Sequence, residues 1–147
     1  GSRGLGVTRV SDQEVAGRIF RILTYNRFVL YEQEFVKHQG KDIRCFVIGG
    51  RVVAAMQRLA GEGWKTNVSR GGIPRPFKPP PTVEEAALRA AEALGCEIAG
   101  VDLMENEAGE VFVHEVNSQP GFRGLQTSSG VDIAGLIAEY MIGKAKR

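Results

Sequence analysis

The chain has 147 residues, 43% of them apolar, which is enough for one globular domain or for one domain with part of another. Nineteen basic and seventeen acidic residues are spread along the sequence and give a net charge of +2, so no polybasic block indicates nucleic acid or an anionic membrane as a partner. No apolar run is long enough to span a bilayer and no secretory signal pattern occurs, which favours a cytoplasmic protein.

The chain begins with a glycine-rich segment. Residues 1–7, G-S-R-G-L-G-V, predict a turn that enters a short strand at residues 7–10. Such turns let backbone N–H groups approach phosphate oxygens, because glycine has no Cβ. Neither the P-loop pattern nor the dinucleotide fingerprint is present, so the turn by itself does not identify a nucleotide site.

A helix and a strand are predicted next. Ser11 and Glu14 have the spacing of a capping box, which predicts a helix to about residue 23. The side chains that this helix is predicted to bury are Val15, Ile19 and Ile22. Residues 28–36, F-V-L-Y-E-Q-E-F-V, predict a strand that is interrupted by three polar residues. A strand end of this kind either holds an adenine by its edge or is simply exposed to solvent.

Two further strands are predicted at residues 42–48 and 52–59. The Gly49-Gly50 pair between them is typical of a tight hairpin turn. Alternation places Asp42 and Arg44 on one face of the first strand. These side chains form either an exposed ion pair or a site where an arginine faces phosphate or carboxylate.

Residues 60–81 form the longest stretch without periodicity and contain several glycines and prolines. Such segments are usually lids, binding loops or disordered. Asn67 and Arg70 lie just before a Gly-Gly pair in this stretch and are either loop-borne nucleotide contacts or solvated side chains. Beyond it, helices are predicted at residues 82–94 and 131–142, and a glycine- and hydroxyl-rich loop at residues 118–130.

The strands predicted at residues 96–105 and 111–117 carry the most informative side chains. Glu115 and Asn117 share a face by alternation, and a hairpin that pairs Met104 with Val113 places Asp102 opposite Glu115. Opposed carboxylates repel unless a cation lies between them, and oxygen ligands without Cys or His suit Mg²⁺ or Mn²⁺. Because Mg²⁺ often completes its shell with phosphates, a metal–nucleotide site is predicted; a solvated acidic hairpin face is the alternative.

The two cysteines, Cys45 and Cys96, lie far apart in apolar stretches and have no metal-binding or redox spacing. Both are predicted to be buried thiols. His38 and His114 are interpreted as structural residues.

Seven segments, taken together and in this order, resemble the ATP-grasp ligases, and within them the RimK-like α-L-glutamate ligases. The resemblance covers nearly the whole chain and is strongest in E-V-N-x-x-P-G-F with an upstream A-G-V-D. The segments are G-S-R-G-L-G-V, Y-E-Q-E-F-V, D-I-R-C-F-V-I-G-G, T-N-V-S-R-G-G, A-G-V-D-L, H-E-V-N-S-Q-P-G-F and T-S-S-G-V-D-I-A.

The resemblance implies a role for each matching segment. The glycine-rich turn would cover the phosphates, and residues 32–36 would bind adenine. Asp42 and Arg44 would line the nucleotide and acyl-phosphate region, and the loop at residues 118–129 would help to bind an amino acid. The implied nucleotide-binding residues are Gly1, Ser2, Gly4, Gly6, Glu32, Gln33, Glu34, Phe35, Val36, Asp42, Arg44, Asn67 and Arg70; the implied catalytic residues are Arg44 and Arg70; the implied Mg²⁺ ligands are Asp102, Glu115 and Asn117.

The resemblance also implies the fold. It implies an α+β ATP-grasp C-terminal portion with a mainly antiparallel sheet flanked by helices. Residues 1–36 would end the central subdomain, and residues 37–147 would form the C-terminal subdomain. Members of the family carry a preceding domain and a nucleotide-contacting lysine that would lie before Gly1, so the isolated segment is expected to be inactive.

The implied reaction is ATP-dependent amide formation through an acyl phosphate, with Mg²⁺, or Mn²⁺ as an alternative. The implied partners are ATP, glutamate or a similar amino acid, and a carboxylate acceptor on a protein C-terminus or a glutamyl-bearing cofactor; self-association into a homo-oligomer is left open. The alternatives are the related ligase that joins glutamate to α-aminoadipate in lysine biosynthesis and a non-catalytic nucleotide-binding module.

Overall fold

The computed structural model describes residues 7–38, 40–60 and 72–146. The chain divides into two compact units, Gly1–Val36 and Lys37–Arg147. The α+β class, with an antiparallel sheet flanked by helices, is confirmed. The elements in chain order are α1 (Gln13–Tyr25), β1 (Lys41–Ile48), β2 (Arg51–Leu59), β3 (Ile73–Pro76), α2 (Pro81–Ala93), β4 (Ile98–Glu105), β5 (Val111–Asn117), α3 (Arg123–Ser129) and α4 (Ile133–Ala145).

The first unit contains α1 and differs from the sequence prediction in three respects. The helix is capped by Asp12, whose Oδ1 accepts the Val15 N–H at 2.8 Å, and not by Ser11. Val15 and Ile22 are exposed, because the described part of this unit contains no second helix or strand that could cover them. The strands predicted at residues 7–10 and 28–36 are wrong, since the structure has neither a helix nor a strand at these residues.

The second unit contains a five-stranded antiparallel sheet with strand order β3-β2-β1-β4-β5. Gly49 and Gly50, with φ of +55° and +74°, form the predicted turn between β1 and β2, a conformation that side chains other than glycine rarely adopt. The β4–β5 turn is organised by Asn106, whose Oδ1 accepts the N–H groups of Ala108 and Glu110 at 2.9 Å. Both hairpins are confirmed.

Each face of the sheet has its own apolar cluster. Helix α2 packs Val83, Ala87 and Ala91 against one face, over a buried row from the central strands. Helices α3 and α4 bury Leu125 and Ile133 against Phe46, Ile48, Ala54 and Met56 on the other face. This second cluster occupies the end of β1 near the Gly49-Gly50 turn, and the opposite end of the same face carries charged side chains instead.

Two elements lie where the sequence predicts irregular chain. Strand β3, with sequence I-P-R-P, is held by pairing with β2, and its two prolines mark it as an edge strand. Helix α3 lies inside the predicted loop and is anchored by Leu125, which is completely buried, before Gly130 ends it at φ +73°. Both depend on packing partners distant in sequence, which local patterns do not reveal.

Helix α2 starts at Pro81 and ends at Ala93, close to the predicted bounds. Leu94, the last residue of the predicted helix, is the C-cap residue and is exposed. Among the described residues, no helix combines the length and the apolar character needed to cross a bilayer.

We expect the two cysteines to differ in reactivity. Burial, together with the charges of Glu84 and Asp102, raises the pKa of the Cys45 thiol to about 12. Cys96 was also predicted to be buried, but it is partly exposed. Only a thiolate attacks an alkylating reagent, so Cys96 should react in the native protein and Cys45 only after unfolding in urea. Mass spectrometry of labelled peptides measures this, and equal native labelling of both would contradict the burial of Cys45.

Candidate functional site

A cluster of five charged side chains lies on the face of the sheet that α3 and α4 cover in part, toward the Asp42 end of β1. Its members come from four adjacent strands, so the sheet itself fixes their spacing of roughly 4.8 Å from strand to strand. They are Arg58 on β2, Asp42 and Arg44 on β1, Asp102 on β4 and Glu115 on β5.

Asp102 is the centre of this cluster. Arg44 donates Nε to Oδ1 at 2.6 Å and Nη2 to Oδ2 at 2.7 Å, and Nη2 of Arg58 lies 2.9 Å from Oδ2. Burial by itself would raise the pKa of this carboxyl, but the hydrogen bonds and charges of Arg44 and Arg58 outweigh it and hold the pKa below its usual value. Asp102 is therefore ionised and buried, with only 4% of the residue exposed.

Asp42 and Arg58 form a second buried pair beside the first. Nε and Nη2 of Arg58 reach the two carboxylate oxygens of Asp42 at 2.6 Å and 2.5 Å. Burial opposes the charge of Arg58, but the contacts with Asp42 and Asp102 raise its pKa above the ordinary value. Paired guanidinium and carboxylate groups of this kind have the bidentate geometry that makes such hydrogen bonds strong.

Glu115 lies at the open edge of the cluster. Asp102 pairs with Glu115 across the β4–β5 hairpin, as predicted, but Leu103 pairs with Val113, so the predicted pairing of Met104 with Val113 is wrong. The register shifts by one residue between Asp102 and Leu103, as a β-bulge does. The Glu115 side chain is 55% exposed, and its Oε1 is 3.9 Å from Arg44 Nη2, so this carboxylate is accessible from solvent.

Asn117 lies two residues beyond Glu115 on the same strand and therefore on the same face. Its Oδ1 accepts the Gln119 N–H at 2.9 Å and so shapes the chain that leaves β5. It lies opposite Gly100, where an added Cβ would be 2.7 Å from the Pro120 ring and 3.9 Å from Arg44 Nε. Glycine at position 100 thus lets the loop after β5 pack directly onto β4 beside the charged cluster.

The donor set fits a hard divalent cation. Two carboxylates and one amide oxygen share this face. An ionised carboxylate oxygen has two lone pairs, and Asp102 Oδ1 accepts one hydrogen bond from Arg44, so one lone pair of this oxygen is left for a cation. Within the described ranges, no group of three or more His, Cys, Asp or Glu side chains is arranged to hold a metal. A cation at this position would therefore need Asn117 in addition to Asp102 and Glu115.

Other residues predicted for the site lie elsewhere or outside the described ranges. Glu32, Gln33 and Glu34 are exposed and have no regular structure, whereas Phe35 and Val36 are partly buried. The Arg9 guanidinium lies 4.1 Å from the centre of the Phe35 ring, a cation–π contact. Gly1, Ser2, Gly4, Gly6, Asn67 and Arg70 lie outside the described residues.

Arg58 is the member of the charged cluster that sequence reasoning missed. Counting back from the two-residue turn pairs Ile48 with Arg51 and would place Gln57 opposite Asp42. A register shift between Phe46 and Val47 moves the pairing by one residue and places Arg58 there instead. The signal that could have found it is an arginine near the end of the apolar run V-V-A-A-M-Q-R-L, where a buried charge needs a partner.

A comparison with known proteins identifies the family. The family described as RimK-like ATP-grasp domain matches residues 1–141. The chain belongs to the RimK-like ATP-grasp family. The predicted resemblance is therefore confirmed, and the charged cluster lies in a RimK-like ATP-grasp domain.

Relatives and solved structures agree with this assignment. A "Probable alpha-L-glutamate ligase" of Thioalkalivibrio sulfidiphilus is 41% identical over 148 residues, which cover 99% of this chain and 49% of that protein. A protein of the same description from Methanococcoides burtonii is 41% identical over 153 residues, covering 99% and 50%. The ATP-grasp ligase PsnB, solved with a phosphomimetic variant of its minimal precursor, Mg and ADP, is 26% identical with a TM-score of 0.62, covering 77% of this chain and 34% of that one. The chain spans about half the length of the curated relatives it matches.

We expect Asp102→Asn and Glu115→Gln to affect stability very differently in metal-free protein. Removing one partner of a buried pair costs about 3–5 kcal/mol, whereas an exposed pair contributes roughly 0–1 kcal/mol. Asp102→Asn should therefore lower the free energy of unfolding strongly and Glu115→Gln hardly at all. Chemical denaturation at pH 7 measures both changes.

The pH dependence provides the control for this prediction. Because the pKa of Asp102 is lowered in the folded state, its stabilisation is complete above the ordinary carboxyl pKa of about 3.9 and is lost as the pH falls through the folded pKa. The difference between wild type and Asp102→Asn should shrink over that acid range. A difference that stays constant from pH 7 to acid would contradict the lowered pKa.

Proposed function

We propose that this chain is the nucleotide- and metal-binding half of an ATP-dependent carboxylate–amine ligase that uses glutamate as the amine. The observation that supports this best is the pairing of Asp102 with Glu115 beside Arg44 on one face of the sheet. Anionic ligands for a cation and a cationic group for phosphate then lie within one site. Membership of the RimK-like ATP-grasp family and relatives named probable α-L-glutamate ligase support the same proposal.

The proposed metal ligands are Asp102, Glu115 and Asn117, and the metal is Mg²⁺, with Mn²⁺ as a substitute. Glu115 would supply the accessible carboxylate, Asn117 an amide oxygen and Asp102 a buried carboxylate, whose Oδ1 accepts one hydrogen bond from Arg44. Bound Mg²⁺ would neutralise charge on the phosphates and so favour phosphoryl transfer. The likeness to PsnB, solved with Mg and ADP, supports this ligand class.

The proposed nucleotide contacts are assigned segment by segment. Asp42 and Arg44 lie in the charged cluster, where Arg44 is the more exposed of the two arginines. Residues 32–36 supply backbone groups and the Phe35 ring for adenine. The contacts to the phosphates are assigned to Gly1, Ser2, Gly4 and Gly6. The contacts near the reacting groups are assigned to Asn67 and Arg70.

The proposed function includes the division implied by the resemblance, in which a central subdomain ends at Val36 and a C-terminal subdomain begins at Lys37.

The proposed reaction has two steps. An oxygen of the acceptor carboxylate forms a bond to the γ-phosphorus of ATP, the bond to the β–γ bridging oxygen breaks, and ADP leaves. The glutamate amine then attacks the acyl carbon, phosphate leaves with the electrons of the C–O bond, and the amine loses a proton to solvent. Neither step needs a protein nucleophile, so the chain acts through position and charge, chiefly that of Arg44 and Arg70.

The acceptor is proposed to be a carboxylate on a polypeptide C-terminus or on a glutamyl-bearing cofactor. PsnB has been solved with its precursor peptide, which supports a polypeptide as acceptor for the proposed ligase. The relatives named glutamate ligase favour glutamate addition over joining glutamate to α-aminoadipate.

The decisive assay mixes the full-length protein with ATP, Mg²⁺, a carboxylate acceptor peptide and single amino acids. We expect ADP release that requires both the peptide and glutamate, with mass spectrometry showing one added glutamyl residue per ADP at early times. Omission of glutamate and replacement by aspartate are the controls. The ligase proposal is wrong if ADP release is the same with and without amino acid.

Glu115→Gln should abolish turnover while leaving the fold intact. The change removes the charge of the accessible metal ligand but keeps its size, and the side chain is more than half exposed. Circular dichroism should match the wild type, and activity should fall well beyond the roughly 10- to 100-fold loss that follows removal of a residue that only orients a metal ligand. Retained activity would exclude Glu115 as a ligand.

A further inference from the structure

Arg58 is a buried residue that has no role in the reaction proposed above. Its side chain is only 6% exposed, and its Nε and Nη2 donors bind carboxylates of the protein itself. It contacts two carboxylates on two different strands, Asp42 on β1 and Asp102 on β4. A guanidinium that is buried in this way acts on its neighbours and not on substrate.

We propose that Arg58 is a positioning residue that sets the placement of Asp42 and Asp102 relative to each other. It does so by holding both oxygens of Asp42 and Oδ2 of Asp102 with one rigid planar group. The proposal rests on the proposed function, in which Asp42 contacts the nucleotide and Asp102 holds the cation. One side chain then couples the nucleotide side of the site to its metal side.

The geometry requires an arginine for this role. Strand β1 lies between β2 and β4, so Arg58 reaches a carboxylate two strands away, about 9–10 Å across the sheet. Arginine presents several N–H donors in a fixed fork, whereas lysine is a point charge on a flexible stem. A lysine at this position could balance the charge of one carboxylate but could not orient both.

Arg58 also complements Arg44. Oδ2 of Asp102 accepts from both guanidiniums, while Arg44 is the one that extends toward Glu115, 3.9 Å away. The Arg58 contact keeps a positive charge beside the buried Asp102 carboxylate, independently of Arg44. Arg44 is then available to reactants without leaving an uncompensated buried carboxylate, which would cost several kcal/mol.

The test compares Arg58→Lys with Arg51→Lys in the full-length protein. Arg51 lies on the same strand but is exposed, so it is the matched control. Lysine retains the charge, which protects the fold better than alanine would. Three measurements are made: thermal unfolding, Mn²⁺ affinity by electron paramagnetic resonance in protein saturated with ADP, and kcat and KM for ATP.

We expect Arg58→Lys to remain folded, to bind Mn²⁺ roughly 10- to 100-fold more weakly and to lose kcat/KM by a similar factor, as for other residues that orient metal ligands. Arg51→Lys should stay within about twofold of wild type. In an Asp102→Asn background the Arg58→Lys change should have little further effect on Mn²⁺ affinity, because Arg58 acts through Asp102.

Two outcomes are decisive. In the first, the Arg58→Lys variant is folded and has the Mn²⁺ affinity and kcat/KM of the wild type, and only its melting temperature is lower. This outcome would overturn the positioning role and leave Arg58 as a structural residue. The other outcome separates the two proposals. If the wild type releases no amino-acid-dependent ADP, the ligase proposal is refuted. If Arg58→Lys still lowers the Mn²⁺ affinity, and does so only when Asp102 is present, the positioning role is supported.

Discussion

The charged half of the sheet depends on Asp102, a buried carboxylate shared by two guanidiniums. Taking an ion out of water costs several kcal/mol, so such a group is stable only where opposite charge and hydrogen bonds replace the lost water. Arg44 and Arg58 supply both, from two different strands. The packing of β2, β1 and β4 side by side is therefore a condition for ionised Asp102, and ionised Asp102 is a condition for the proposed metal site.

The two faces of the sheet have different tasks. The face under α2 is apolar along the central strands and stabilises the unit by burial. The other face is apolar only near the Gly49-Gly50 turn, where α3 and α4 cover it. Its remaining part carries the ion pairs and the exposed Glu115, so the proposed ligand-binding groups lie on strands that are packed on their opposite face. Rigid strands place such groups more accurately than loops do.

Two one-residue register shifts determine which side chains meet in this cluster. The shift between Phe46 and Val47 brings Arg58 to Asp42 in place of Gln57, and the shift beside Asp102 changes the pairing of the residues that follow it. Bulges of this kind are common next to functional sites because they redirect a side chain without breaking the sheet. Without the first shift, Asp42 and Asp102 would not share a counter-ion.

From the sequence alone, turn chemistry determined the Gly49-Gly50 turn and alternation determined the face that Glu115 shares with Asn117, since both are local properties of the chain. Its motifs also sufficed to recognise the RimK-like ATP-grasp family, and that resemblance implied the α+β class. Only the tertiary structure decided the partners of Arg58, the edge strand β3 and the helix α3. It also showed that residues 28–36 do not form the predicted strand. These features depend on register shifts and on contacts between distant segments, and no local pattern of residues encodes either.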